Sequence, residues 1–230
     1  MQLARNTDTE STRCKDEEVE AATHVPLEID DPVVLVLMGV SGCGKSTVAA
    51  LLAGELGWPF EEGDALHPQA NIDKMAAGEA LTDDDRWPWL DTVADWIDER
   101  LDAGENGVIT CSSLKRSYRD VLNRRGTGVH FIYLAGSRET IAARLASRHG
   151  HFMPTSLLDS QFATLEEPGS DEPSLRIGIG PAPQVIADEI MDAFGWESPN
   201  PPRPAEPAHD EPDETDSTAG GTTESEPTNN

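Results

Sequence analysis

Gly39–Ser46 reads GVSGCGKS and directly follows the apolar run VVLVLM, Val33–Met38. The octapeptide matches GxxxxGK[ST], with Gly39, Gly44, Lys45 and Ser46 in the required places. It stands between a predicted strand and a predicted helix, the context that gives the pattern its meaning. Glycines let backbone N–H groups turn inward around phosphate oxygens, and the start of a helix adds its positive end. The loop formed by Gly39, Val40, Ser41, Gly42, Cys43, Gly44, Lys45, Ser46 and Thr47 is therefore expected to bind ATP. Within it, Lys45 reaches the β and γ oxygens and Ser46 is a ligand for Mg2+. Cys43 is expected to be a tolerated small loop residue and not a nucleophile.

Working outward, short apolar β-branched runs alternate with longer helical patterns, which predicts an α/β domain on a parallel sheet. VVLVLM is continuous, as expected of a strand covered on both faces. A helix is expected from Lys45 to Gly57, burying Val48, Leu51, Leu52 and Leu56, with Gly57 as its stop. PFEEGD (Pro59–Asp64) reads as a second strand with carboxylates at its C-terminal end. Val108–Ser112, His130–Ala135 and Leu175–Ile179 read as the third to fifth strands. Two or three helices are expected between His67 and Gly104, one from about Ser137 to Arg148, and a last one in PQVIADEIMDAFG. Residues 1–30 are polar and aperiodic, and 197–230 are rich in Pro, Glu, Asp, Thr and Ser. Both extensions read as disordered, leaving one domain over 31–196.

The net charge of −26, from 43 acidic and 17 basic residues among 230, should repel nucleic acid and anionic membranes, so neither is expected as a partner. Cys14, Cys43 and Cys111 lie far apart without metal-ligand or disulfide spacing, which suits a reducing cytoplasm. No stretch has the apolar length that spans a bilayer. A soluble, cytoplasmic protein is expected.

A phosphate loop names only the donor. The guanine-reading NKxD is missing, since Asn71–Lys74 reads NIDK, in the wrong order. The third strand ends TCSS without an acid, which disfavours a motor ATPase. A small kinase remains, with the second strand supplying the acids. Glu62 and Asp64 are two apart and can face one side at the C-terminal sheet edge, where open α/β sheets bind ligands. Asp64 is expected to accept the proton of the attacking hydroxyl and Glu62 to support the metal. The alternative for Asp64 is to cap the next helix.

GVSGCGKS, EGDALHPQANIDKMAAGEALTDDDRWPWL, CSSLKRSYRD and FIYLAGSRETIAARLASRHGHFMPTSLLDSQFATLEEP follow in that order within about Val33–Phe194. Together they resemble the gluconokinases of the small P-loop type, and DDDRWPWL and GHFMPTSLLDSQFATLEEP are the specific part. The resemblance implies a P-loop NTPase fold: a five-stranded parallel sheet of order 2-3-1-4-5, flanked by helices and topped by a lid. It implies transfer of the ATP γ-phosphate to the 6-hydroxyl of D-gluconate, and a homodimer.

A polyhydroxylated carboxylate calls for a guanidinium and small hydrogen-bonding groups. Arg86 is the candidate for the carboxylate or a neighbouring hydroxyl. His67, Asn71 and Lys74 follow the expected base, and Ser112, Lys115 and Arg119 follow the third strand, so all are expected to line the cleft. Lys74 and Arg119 read equally well as solvated helix residues. Asp83, Asp84 and Asp85 read as helix-start acids. Arg144–Phe152, RLASRHGHF, is expected to end a helix and begin the lid, with Arg148 catalytic on the phosphates beside Lys45 and Asp64, and Arg144 beside adenine. His149 and His151 read as ordinary loop residues, Gln161 and the acids of LEEP as fixing the lid or touching substrate, and Trp87, Trp89 and Trp96 as core. Two rivals are a same-fold kinase of another acceptor, such as shikimate, and a non-catalytic nucleotide-binding module.

Overall fold

The computed structural model describes residues 31–147 and 155–196. Strand β1 (Val34–Met38) is buried at all five positions, which is why its sequence is unbroken apolar. Four more strands join it: β2 (Phe60–Glu62), β3 (Gly107–Thr110), β4 (Val129–Ala135) and β5 (Ser174–Gly178). All pair in parallel in the order β2-β3-β1-β4-β5, the expected one, with Val34 in register with Gly107 on one side and Val129 on the other.

Alternation along β1 feeds two cores. Leu35 and Leu37 pack towards α1 (Lys45–Leu56) and α7 (Pro183–Phe194), meeting Val48, Leu52, Ile186 and Ile190. Val34, Val36 and Met38 pack towards α3 (Asp83–Asp102) and α4 (Arg116–Leu122), meeting Trp89, Val93, Ile97 and Tyr118. Each such buried aliphatic side chain contributes about 1.5–3 kcal/mol of transfer free energy, so the central strand anchors both layers.

The helices differ from expectation in detail. The fully buried residues of α1 are Val48, Ala49, Leu52 and Ala53, while Leu51 and Leu56 are only partly covered. Alanine lets the helix lie close against its neighbours, which moves the leucines to the margin. Gly57 ends α1 in the left-handed region at φ 68, as expected. β2 stops at Glu62, and Gly63–Leu66 forms a 3-10 turn, so Asp64 lies just beyond the strand. α2 (Gln69–Ala76) and α3 fill the next segment. Thr82 caps α3 in a capping box with Asp85, and Asp83, Asp84 and Asp85 occupy its first turn, the helix-start role expected of them.

α5 (Arg138–Ser147) and α6 (Thr155–Thr164) bracket the expected lid. Arg148, His149 and His151 lie outside the described residues, as do the expected disordered extensions 1–30 and 197–230. Among the described residues, no helix is long and apolar enough to cross a membrane.

Candidate active site

The phosphate loop leaves β1 through three glycines in the left-handed region: Gly39 (φ 132), Gly42 (φ 85) and Gly44 (φ 107). At Gly42 a Cβ would stand 2.7 Å from Leu145 Cγ, so both the backbone and the packing demand glycine. Gly44 precedes α1 without a side-chain cap, which leaves the helix's first N–H groups for an anion. Lys45 Nζ donates across the loop to the carbonyls of Gly39 (3.1 Å) and Val40 (3.4 Å).

The acid arrives from β2. Gly63 N–H donates to Thr110 Oγ1 at 3.2 Å, and a Cβ on Gly63 would stand 1.9 Å from Thr110 O. Only glycine lets the chain turn so close to β3. Trp89 Nε1 holds the same turn by donating to Gly63 O at 2.7 Å. A cavity of about 340 Å³ then joins donor loop and acceptor side, with Ser41, Lys45, Asp64, His67, Arg86 and Ser112 in its walls. Trp89 also lines it, together with Gly78–Leu81 and with Leu157, Ser160 and Gln161 of α6.

His67 is 9% exposed and stacks on Trp89 at 4.0 Å between ring centroids. Burial holds its pKa below the usual histidine value; the Asp64 carboxylate opposes this shift and Arg86 adds to it. Asn71 Nδ2 lies 3.3 Å from His67 Nδ1 and donates to Asp85 O at 2.8 Å. Because that amide nitrogen is a donor, Nδ1 is the accepting nitrogen and Nε2 carries the proton.

Several expected substrate residues instead serve the frame. Asn71 is buried and does not line the cavity; it braces His67. Lys74 Nζ pairs with Asp85 at 2.6 Å. The Asp85 carboxyl is held down to about 2 by that lysine first, and then by Thr82. Lys115 pairs with Asp83 at 2.6 Å, and Tyr118 Oη donates to the same carboxylate at 2.5 Å. These contacts fix the start of α3, from which Arg86 enters the cavity, 5.9 Å from the Tyr118 ring.

Arg119 requires a correction: it is neither a cleft residue nor a solvated one. Its side chain is 1% exposed and forms a two-pronged pair with Glu172, with Nε at 2.5 Å and Nη2 at 3.0 Å. Nη1 donates to Ser113 O (3.1 Å) and Glu166 O (2.8 Å). A buried guanidinium needs such saturation, and its partners Glu166 and Glu172 lie far along the chain. The pin holds Ser113 at φ 44, an unusual value for a non-glycine residue, next to Ser112 in the cavity wall.

Glu62 is not among the cavity-lining residues; it accepts from the Thr110 hydroxyl. Ser46 and Thr47 are exposed on the first turn of α1. Arg144 donates to Ile179 O, just beyond β5. Of the LEEP acids, Glu166 accepts from Arg116 N–H (2.7 Å) and Glu167 from Tyr133 Oη (3.2 Å), outside the cavity. Cys43 and Cys111 are free and buried, and burial pushes the Cys111 thiol up to about 12, which leaves it unreactive. Trp89 is core, as expected, but its second role as a wall of the cleft carries no sequence signal of its own.

A parallel sheet of this order, with a glycine loop after β1 and an acid after β2 opening into one cavity, defines a P-loop kinase. The AAA domain family model matches residues 34–168. Gluconokinase of Gluconobacter oxydans (strain 621H) is 52% identical over 163 residues, 71% of this chain and 92% of the relative. The thermosensitive gluconokinase of Escherichia coli (strain K12) is 49% identical over 63% of this chain and 78% of its own length. The crystal structure of a gluconokinase from Sinorhizobium meliloti 1021 superimposes with a TM-score of 0.65 at 45% identity, covering 71% of this chain and 92% of that one. The chain belongs to the gluconokinase family.

Proposed function

We propose that the protein transfers the γ-phosphoryl group of ATP to the 6-hydroxyl of D-gluconate, releasing ADP and 6-phospho-D-gluconate. The observation that carries this is the convergence of Lys45 and Asp64 on one cavity, in a chain 52% identical to a gluconokinase. The loop amides that are not already bonded within the protein, with those of Gly39, Ser41 and Cys43 engaged by Ser112, Gln161 and Val40, hold the phosphates together with the N-terminus of α1. Lys45 turns from its loop carbonyls to neutralise the charge that develops on the phosphoryl group. Asp64 accepts the hydroxyl proton as the O–P bond forms and the bond to ADP breaks.

Arg86 offers its guanidinium to the gluconate carboxylate, and neutral His67, through Nε2–H, and Ser112 bind its hydroxyls. Asn71, Lys74 and Lys115 position these groups by bracing His67 and the start of α3. Arg144, which bonds Ile179 O just beyond β5, is proposed beside adenine, and Arg148 for the phosphates. Ser46, with Glu62 through water, would hold Mg2+. So small a protein contribution suits a cation that takes most of its oxygens from phosphate and water. When bound, Mg2+ supplies charge neutralisation to the phosphates. On family resemblance we extend the reading to a homodimer working in the cytoplasm, and light scattering checks the first.

The test is ADP release across sugar acids and shikimate. Gluconate should give turnover and shikimate none. Lys45→Ala and Asp64→Asn should each lower kcat by about 100-fold or more with the thermal melt preserved. Tight ATP binding with no ADP release on any acceptor would overturn the assignment in favour of a binding module.

A further inference from the structure

Gln161 sits on α6, 120 residues along the chain from Ser41, yet its Oε1 accepts the Ser41 backbone N–H at 2.7 Å. Ser41 is the third residue of the phosphate loop, and both residues line the cavity that holds Lys45 and Asp64. The orientation of the carboxamide follows from chemistry. A backbone N–H can only donate, so the atom facing it is the oxygen, and the amide nitrogen projects from the other arm of the same rigid plane. That nitrogen carries two donors with no partner among the described residues.

A partly buried pair of N–H donors, fixed on the donor loop and bordering the acceptor cavity, calls for an anionic oxygen that arrives during the reaction. We propose that Gln161 is a catalytic residue whose Nε2 donates to the phosphoryl group in transit, while its Oε1 stays on Ser41 N–H. Through it, α6 contributes one polar contact at the junction between nucleotide and acceptor. The inference rests on the phosphoryl-transfer reading above and adds a residue to it.

The decisive variants are Gln161→Glu and Gln161→Leu. Glutamate keeps the shape and the acceptor for Ser41 N–H but replaces both donors with negative charge. Leucine removes the polar contacts without adding charge. Both should lower kcat by about tenfold or more, as for loss of a hydrogen bond to a charged group, with KM for ATP and gluconate changed by less than about threefold. Glutamate should be the worse of the two because it repels the phosphoryl oxygens, whereas a purely structural role would make it the milder.

A second measurement needs no acceptor: binding of ADP with aluminium fluoride, which imitates the moving phosphoryl group, followed by tryptophan fluorescence. Its affinity should fall by about tenfold or more in both variants while ADP alone binds as in the unaltered protein. Near-normal kcat in Gln161→Glu overturns the proposal, as does a raised gluconate KM at unchanged kcat, which would make Gln161 an acceptor-binding residue. If the unaltered protein fails to phosphorylate gluconate but the fluoride complex still discriminates the variants, the acceptor assignment falls and the role of Gln161 stands.

Discussion

A carboxylate at a sheet edge does useful chemistry only if the main chain beneath it is fixed, and for Asp64 that task falls on Gly63. The absent side chain lets β2 break off against Thr110, and Trp89 then clamps the turn from the other side. Arg119 acts in a comparable way at greater depth, tying Ser113, Glu166 and Glu172 to α4. Arg119→Met should leave Glu172 buried and unpaired, at a cost of about 3–5 kcal/mol, read as a lowered denaturation midpoint. A role in binding gluconate would instead raise KM while leaving the midpoint in place. Sequence could not separate these outcomes: Arg119 stands in a charged run, and its partner Glu172 is 53 residues away. Lys45, Asp64, His67, Arg86 and Ser112 were legible, because each stands immediately beside the end of a recognisable strand or in a motif that fixes its place.

At the scale of elements, contacts from α2 and from the residue before α4 meet at the start of α3, which lines the cavity through Arg86 and Trp89. Thr82 and Asp85 exchange hydrogen bonds in the capping box, while Lys74 of α2 and Lys115 before α4 close on Asp85 and Asp83. Thr82→Ala should remove about 1 kcal/mol of stability, measured by urea denaturation, and should weaken gluconate binding more than ATP binding because Arg86 is one turn further on. The helix itself was readable from three acids preceding an apolar pattern. The lysine partners were not, since ion pairing across elements depends on how α2, α3 and α4 approach one another. The early end of β2 was hidden for a related reason: a strand carrying EE before glycine looks longer until β3 is seen to crowd it.

At the scale of the whole molecule, buried His67 and half-buried His130 contribute to the response to acid. Burial lowers the pKa of His67 in the cleft and of His130 on β4 below 6.5. The unfolded chain takes up protons there that the folded chain refuses. Their contribution to stability is therefore complete above about 6.5 and is lost as pH falls below that value. Melting temperature should decline on acidification from neutrality, and His67→Gln together with His130→Gln should flatten the decline.

The end of β3 joins the two sides of the cleft. Thr110 and Ser112 each engage a different turn of the cleft: the Thr110 hydroxyl accepts from Gly63 N–H, and Ser112 O accepts from Gly39 N–H at 3.2 Å. Three consecutive residues thus set the spacing between the phosphate loop and the turn that carries Asp64, through one side-chain and one main-chain acceptor. A substitution that shifts this short span would move the phosphate loop and the Asp64 turn together, so its damage would not be confined to either.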